Sequence, residues 1–228
     1  MRRIFEQILS RPGTRMALVH ATSKVLGLAL GIFVARVLGA ESYGIYTYTL
    51  AWMALLSAIG SAGVPRLLMR EIAAARAKEN WHSVRADTWR GTALVLVLSC
   101  SIAALGGVAL LLFGDTLTPD VLATTAGMLV LLPLAVLVTL SSHILQGLQK
   151  VVTGMWVELV MRPACMLMLL VIAVFGLSIE LTPAYAMLTQ IAGALLTLAL
   201  ALALVTRALP SNTRQTDDAS RAPRAWLN

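Results

Sequence analysis

The chain has 228 residues, 58% of them hydrophobic and only 13% charged, with a formal net charge of +7. Soluble domains carry about 25% charged residues. Here the apolar residues run in long blocks and the mean hydropathy is +0.82, which excludes an ordinary soluble domain and indicates an all-α polytopic membrane protein. The basic excess sits beside the apolar blocks, where membrane topology expects it, and so argues against nucleic acid as a partner.

Arg2, Arg3, Arg11 and Arg15 make a basic start, residues 1–15. The apolar run after them is too long for a signal peptide and is followed by a second such run. A cytoplasmic N-terminus is therefore expected, not a cleaved leader. A span needs about 20 apolar residues at 1.5 Å each. Six segments qualify: residues 16–38, 43–63, 92–113, 121–145, 154–177 and 183–206. Turn residues agree with the divisions. Gly39 and Gly44 bracket the first turn, Pro65 follows the second span, and Gly114-Asp115 and Thr118-Pro119-Asp120 separate the third and fourth. Gly147 and Gly154 bracket the next turn, and Pro183 opens the last span, where proline is tolerated.

Loop charge fixes the expected orientation. The N-terminus, the loop 65–91, the turn 146–153 and the tail 207–228 hold the arginines and lysines of the loops. The opposite side carries Glu41, Asp115, Asp120 and Glu180 and no loop lysine or arginine, with Arg36 near that end of span one. Cytoplasmic loops carry the Lys/Arg excess, so both termini are expected inside, in a bacterial cytoplasmic (inner) membrane. The loop 65–91 is alanine-rich and carries Trp81 and Trp89, which predicts a helix along the inner surface. It is either a solvated connector with snorkelling arginines or a contact for anionic lipid or a partner. The tail is polar, a cytoplasmic extension or linker. Its last residues, 222–227, have the character of a new helix approaching a membrane. Cys100 and Cys165 lie in apolar blocks and are expected to pack.

Ionisable groups inside spans are costly unless paired or hydrated. His20, Lys24, Gly27 and Gly31 follow i, i+4, i+7, i+11 spacing and share one face of span one. Glu158 and Arg162 are one turn apart in span five, ahead of Pro163, which should kink the helix. His143 and Gln146 lie near the inner end of span four. By rise per residue, Lys24 and Arg162 share a depth of about 12 Å from the inner end, with His20, Glu158 and His143 nearer the rim. Two arrangements fit: a water-filled cationic cavity suited to a diphosphate, or a structural Glu158–Arg162 or Glu158–Lys24 pair. Depth matching does not say which helices are neighbours. No catalytic motif, metal-ligand spacing or cofactor loop is present, and the outer loops are too short for an exposed active site, so neither an enzyme nor a cofactor is expected.

The segment Ala35-Arg36-Val37-Leu38-Gly39-Ala40-Glu41-Ser42-Tyr43-Gly44 resembles the A-R-x-L-G-x-x-x-Y-G turn of bacterial polysaccharide (O-antigen type) flippases of the multidrug/oligosaccharidyl-lipid/polysaccharide exporter superfamily. Gly63-Val64-Pro65 with Arg70 is similar to the G-x-P…R further along in that family. Ser23-Lys24-Val25-Leu26-Gly27 resembles the S-R-V-L-G of lipid II flippases, with lysine replacing a cavity-lining arginine: the charge is kept and the bidentate fork lost. The resemblance implies one six-helix lobe of a two-lobed transporter that moves undecaprenyl-diphosphate-linked oligosaccharide between leaflets by alternating access. Lys24, Arg162, Glu158, His20 and His143 are the cavity candidates by depth, and the resemblance adds membrane lipid, the lipid-linked oligosaccharide and a complementary C-terminal lobe as partners. Such proteins have about twice the spans seen here. The chain is expected to be a truncated product, inactive alone, or to pair with a second lobe. The alternatives are half of a multidrug/cation antiporter, whose pocket would favour acidic residues, and a non-transporting membrane scaffold.

Overall fold

The computed structural model describes residues 12–176 and 181–209, and every regular element among them is helical. Arg2, Arg3, Arg11, Glu180 and residues 222–227 lie outside the described residues. We label the helices α1 (Pro12–Ser61), α2 (Val64–Ala77), α3 (Trp81–Phe113), α4 (Pro119–Gly147), α5 (Val151–Gly176) and α6 (Pro183–Ala208). All except α2 are long and apolar enough to cross a membrane.

α1 is two spans. Gly39 has φ 75° and ψ 174°, a backbone state that breaks the helix and that side-chain-bearing residues avoid. A straight helix would separate residues 31 and 43 by about 18 Å. Instead a Cβ built on Gly31 would lie 4.0 Å from the Tyr43 hydroxyl, so the second arm, residues 40–61, folds back on the first, residues 12–38. The turn is narrower than the sequence suggests. One residue makes it, and Gly44 lies within the second arm, because Ala40 and Glu41 already favour the opening of a helix.

The segment 65–91 also resolves differently from one surface helix. Ala62 and Gly63 take positive φ and turn the chain into α2, with Pro65 in its first turn. Glu79 (φ 55°) then reverses it. The Asn80 side chain accepts the Ser83 N–H at 3.1 Å and starts α3 at Trp81, three turns before the apolar block. α2 buries Pro65, Leu68 and Ile72, and Arg76 donates to the Leu148 carbonyl, tying α2 to the α4–α5 turn.

α4 is the central post. Leu131, Leu132, Val138, Leu140 and Leu145 are at most 1% exposed, and α4 contributes to both apolar clusters. One cluster joins both arms of α1 to α4, α5 and α6. The other, at the basic end, joins α2, α3, α4 and α6. The outer surface is apolar, with Leu111 86% and Phe175 75% exposed, as lipid-facing residues are. Lipid tails are as apolar as leucine, so close packing and hydrogen bonds hold such a bundle, not hydrophobicity.

The tightest packing is between α4 and α5. Gly154 is buried so close to α4 that a Cβ there would lie 2.6 Å from the Ser142 carbonyl oxygen. The Ser142 hydroxyl donates to the Gly154 carbonyl at 2.9 Å and accepts from the Gln146 amide at 3.1 Å. Further along, α5 meets Pro163. Proline lacks an N–H and clashes with the carbonyl four residues back, and the preceding turn, Val157–Met161, widens to a π-helix. Gly154→Leu should therefore force the helices apart and cost about 1–3 kcal/mol, measured as a fall in the thermal unfolding midpoint in detergent. Gly107→Ala, where a Cβ meets nothing within 4 Å, should leave the midpoint unchanged or raise it.

Candidate functional site: a cationic pocket between three helices

The second arm of α1 places Met53, Ala54, Ser57, Ala58 and Ser61 on one face, at helical spacing. Together with Ala135, Val136 and Thr139 of α4 and Arg162 of α5 they enclose a cavity of about 350 Å³. Small side chains on the second arm leave the space, and the hydroxyls of Ser57, Ser61 and Thr139 give it polar groups. Ser61 donates to the Ala58 carbonyl of its own helix at 3.0 Å. The Ser57 oxygen is buried with no hydrogen-bond partner among the described residues. An orphan hydroxyl costs about 1–3 kcal/mol.

Among the described residues, Arg162 is the only charged side chain lining the cavity. It lies 11 residues from Val151, about 17 Å along α5 from its basic end, directly after the widened turn. Arg162 is half-buried. Glu158, one turn before it, and the Tyr46 hydroxyl both act on it electrostatically, but among the described residues no carboxylate, that of Glu158 included, lies within ion-pair distance of it. Tyr46 is 4% exposed. Its hydroxyl contacts the Met166 sulfur at 3.9 Å, and the Gln190 side chain of α6, itself 8% exposed, acts on it electrostatically. A polar layer thus crosses the bundle from α1 through α5 to α6.

The other residues singled out in the sequence are placed elsewhere. His20 and Lys24 are exposed on the first arm and line no part of the cavity. His143 is half-buried, and its Nδ1 donates to the Thr139 carbonyl of its own helix at 2.8 Å. Glu158 lies one turn from Arg162 but outside ion-pair distance, and Lys24, His20 and His143 line no part of the cavity. Arg36 lies beside the Gly39 break, away from the cavity. The rest of the site comes from residues that the sequence does not single out: Ser57, Ser61, Thr139, Tyr46 and Gln190. The i, i+4 pair Ser57 and Ser61 within an apolar helix is a signal for the first two.

A bundle of membrane-length helices with no strand among the described residues, enclosing a cation-bearing cavity, defines a multi-pass α-helical membrane protein. Residues 13–220 match the family described as polysaccharide biosynthesis protein, and the chain belongs to that family. No curated protein and no solved structure matches it.

Two serine substitutions should differ in sign. Ser142→Ala leaves the Gln146 amide and Gly154 carbonyl without their partner and should cost about 1 kcal/mol. Ser57→Ala removes an orphan hydroxyl and should leave stability unchanged or raise it. Thermal unfolding of both variants in the same detergent checks the contrast.

Proposed function

We propose that the chain takes part in moving a lipid-diphosphate-linked oligosaccharide, undecaprenyl-diphosphate-linked in bacteria, across the cytoplasmic membrane, with Arg162 engaging the anionic head. The observation that carries this reading is a half-buried arginine, free of any ion-pair partner among the described residues, that opens onto a hydroxyl-lined cavity. A cation inside a span without an acid beside it is stabilised by an incoming anion, and a guanidinium fork matches phosphate oxygens. Family membership supports a role in polysaccharide assembly. The loop charges support a cytoplasmic basic end, which faces the cavity toward the side where such lipids are made. The protein acts here as a transporter without a cofactor, not as an enzyme. A complementary C-terminal lobe completes the translocation path in this scheme, with Lys24, exposed on the first arm, as its proposed contact. An antiporter for cationic drugs would need an acidic pocket, and the lining holds no carboxylate.

The test is restoration of surface polysaccharide in a flippase-null strain, with this chain alone and with a supplied complementary lobe. The wild-type chain with its lobe should restore polysaccharide. Arg162→Ala should lower the yield about tenfold or more, the worth of one charged hydrogen bond, while Arg162→Lys keeps part of it. Wild-type yield from Arg162→Ala, or no restoration by the wild type with the lobe present, would count against the proposal.

A further inference from the structure

A second cavity, of about 820 Å³, lies at the opposite end of the bundle between α3 and α4. It shares no residue with the Arg162 pocket. One wall is a face of α3 from Ala103 through Gly107 to Leu111; the other is a face of α4 from Leu122 through Ala126 to Val130. Its floor is where the helices touch: a Cβ on Gly106 would overlap the Leu129 side chain. Beside that contact a Cβ on Gly107 meets nothing within 4 Å, and toward the turn the helices meet again, a Cβ on Gly114 lying 3.1 Å from the Leu122 side chain. The groove runs from Ala103 to Asp115, about 18 Å by rise per residue, so it reaches past the middle of a bilayer. Its walls are exposed apolar side chains, with Val108 53%, Leu111 86% and Val130 56% exposed. Asp115, exposed in the short turn after α3, is the only ionisable group among the described residues that lines it.

We infer that this groove holds one acyl chain of an amine-bearing phospholipid, with the lipid ammonium at Asp115. The surroundings of a membrane span are lipid, so a chain is at hand, but a tail gains little by leaving hydrocarbon for an equally apolar wall. Selection therefore falls to the head. A carboxylate at the groove mouth, at an end whose loops carry no lysine or arginine, attracts an ammonium and repels a purely anionic lipid. Charge complementarity at the mouth thus names the head, and the length and apolar lining name the tail. The groove is independent of the Arg162 pocket: it lies at the other end of the bundle and takes a different lipid.

The full chain, purified into nanodiscs of equal phosphatidylethanolamine and phosphatidylglycerol and released for native mass spectrometry, gives the test. The wild type should retain phosphatidylethanolamine over phosphatidylglycerol by about threefold or more, the size of a modest charge pair. Asp115→Asn should still retain lipid with that preference lost. Gly107→Leu should fill the groove and lose the retained lipid, with its unfolding midpoint in lipid-free detergent unchanged. Ala126→Leu, from the opposite wall, should do the same and covers the case in which Gly107→Leu fails to fold. The inference is overturned if the wild type shows no preference, if both groove-filling variants that fold retain as much lipid as the wild type, or if cysteines placed on the two walls form disulfides with a second copy of the chain.

Discussion

The contact between Gly154 and Ser142 sets the geometry on which the rest of the bundle depends. It brings two backbones together where a single methyl group would not fit, and it is sealed by the Ser142 and Gln146 hydrogen bonds. In lipid such contacts are what holds helices together. With α5 fixed against α4 at this point, the direction of every later residue of α5 is set by its helical count. The π-turn at Val157–Met161 alters that count. One extra residue in a turn rotates the remainder of the helix by about 100°. The proline that forces the wide turn therefore also decides where Arg162 points, and the guanidinium arrives in the gap between α4 and the second arm of α1.

That gap exists because of what the second arm does not carry. Ala54, Ser57, Ala58 and Ser61 are small, and they face Ala135 and Thr139 across the cavity. Bulky residues there would have closed the bundle and left Arg162 buried and unhydrated, a costly state. Small hydroxyl residues instead leave room for water beside the charge. Glu158 and Tyr46 add electrostatic support without capturing the guanidinium. The charge is held in place and still available.

Much of the fold was legible in the sequence because it depends on properties read along the chain. Apolar block length gives the spans, Gly39 gives the hairpin, and Pro183 gives the start of α6. Boundaries shift where a single residue outweighs composition: Asn80 starts α3 well before the apolar block, and Gly39 alone makes a turn that glycine spacing divides between Gly39 and Gly44. The site was less legible. Rise per residue gives depth, and it sets Arg162 well inside its span together with Lys24. Depth says nothing of azimuth or of which helix lies alongside. Lys24 is on an open face of the first arm, while the hydroxyls that share the cavity with Arg162 come from the second arm and α4. The π-turn lies beyond a periodicity argument altogether, since it breaks the 3.6-residue count that such arguments assume. In the sequence Gly154 is visible only as punctuation; its role as a contact needs the Ser142 carbonyl opposite it.

α4 links the two cavities and explains why they differ. Its half toward the basic end is packed on most sides, by α2, α3, α5 and α6, with Leu140, Ile144 and Leu145 nearly inaccessible. The Arg162 cavity beside it sets serine and threonine residues next to the charge. The half of α4 toward the acidic end touches α3 where Gly106 meets Leu129 and Gly114 meets Leu122, and leaves Val130 exposed beside the second cavity. A cavity there opens to hydrocarbon and can be lined only by apolar groups, with any charge confined to the mouth. The same helix thus lines a cavity that carries Arg162 toward one end and an apolar one that ends at Asp115 toward the other.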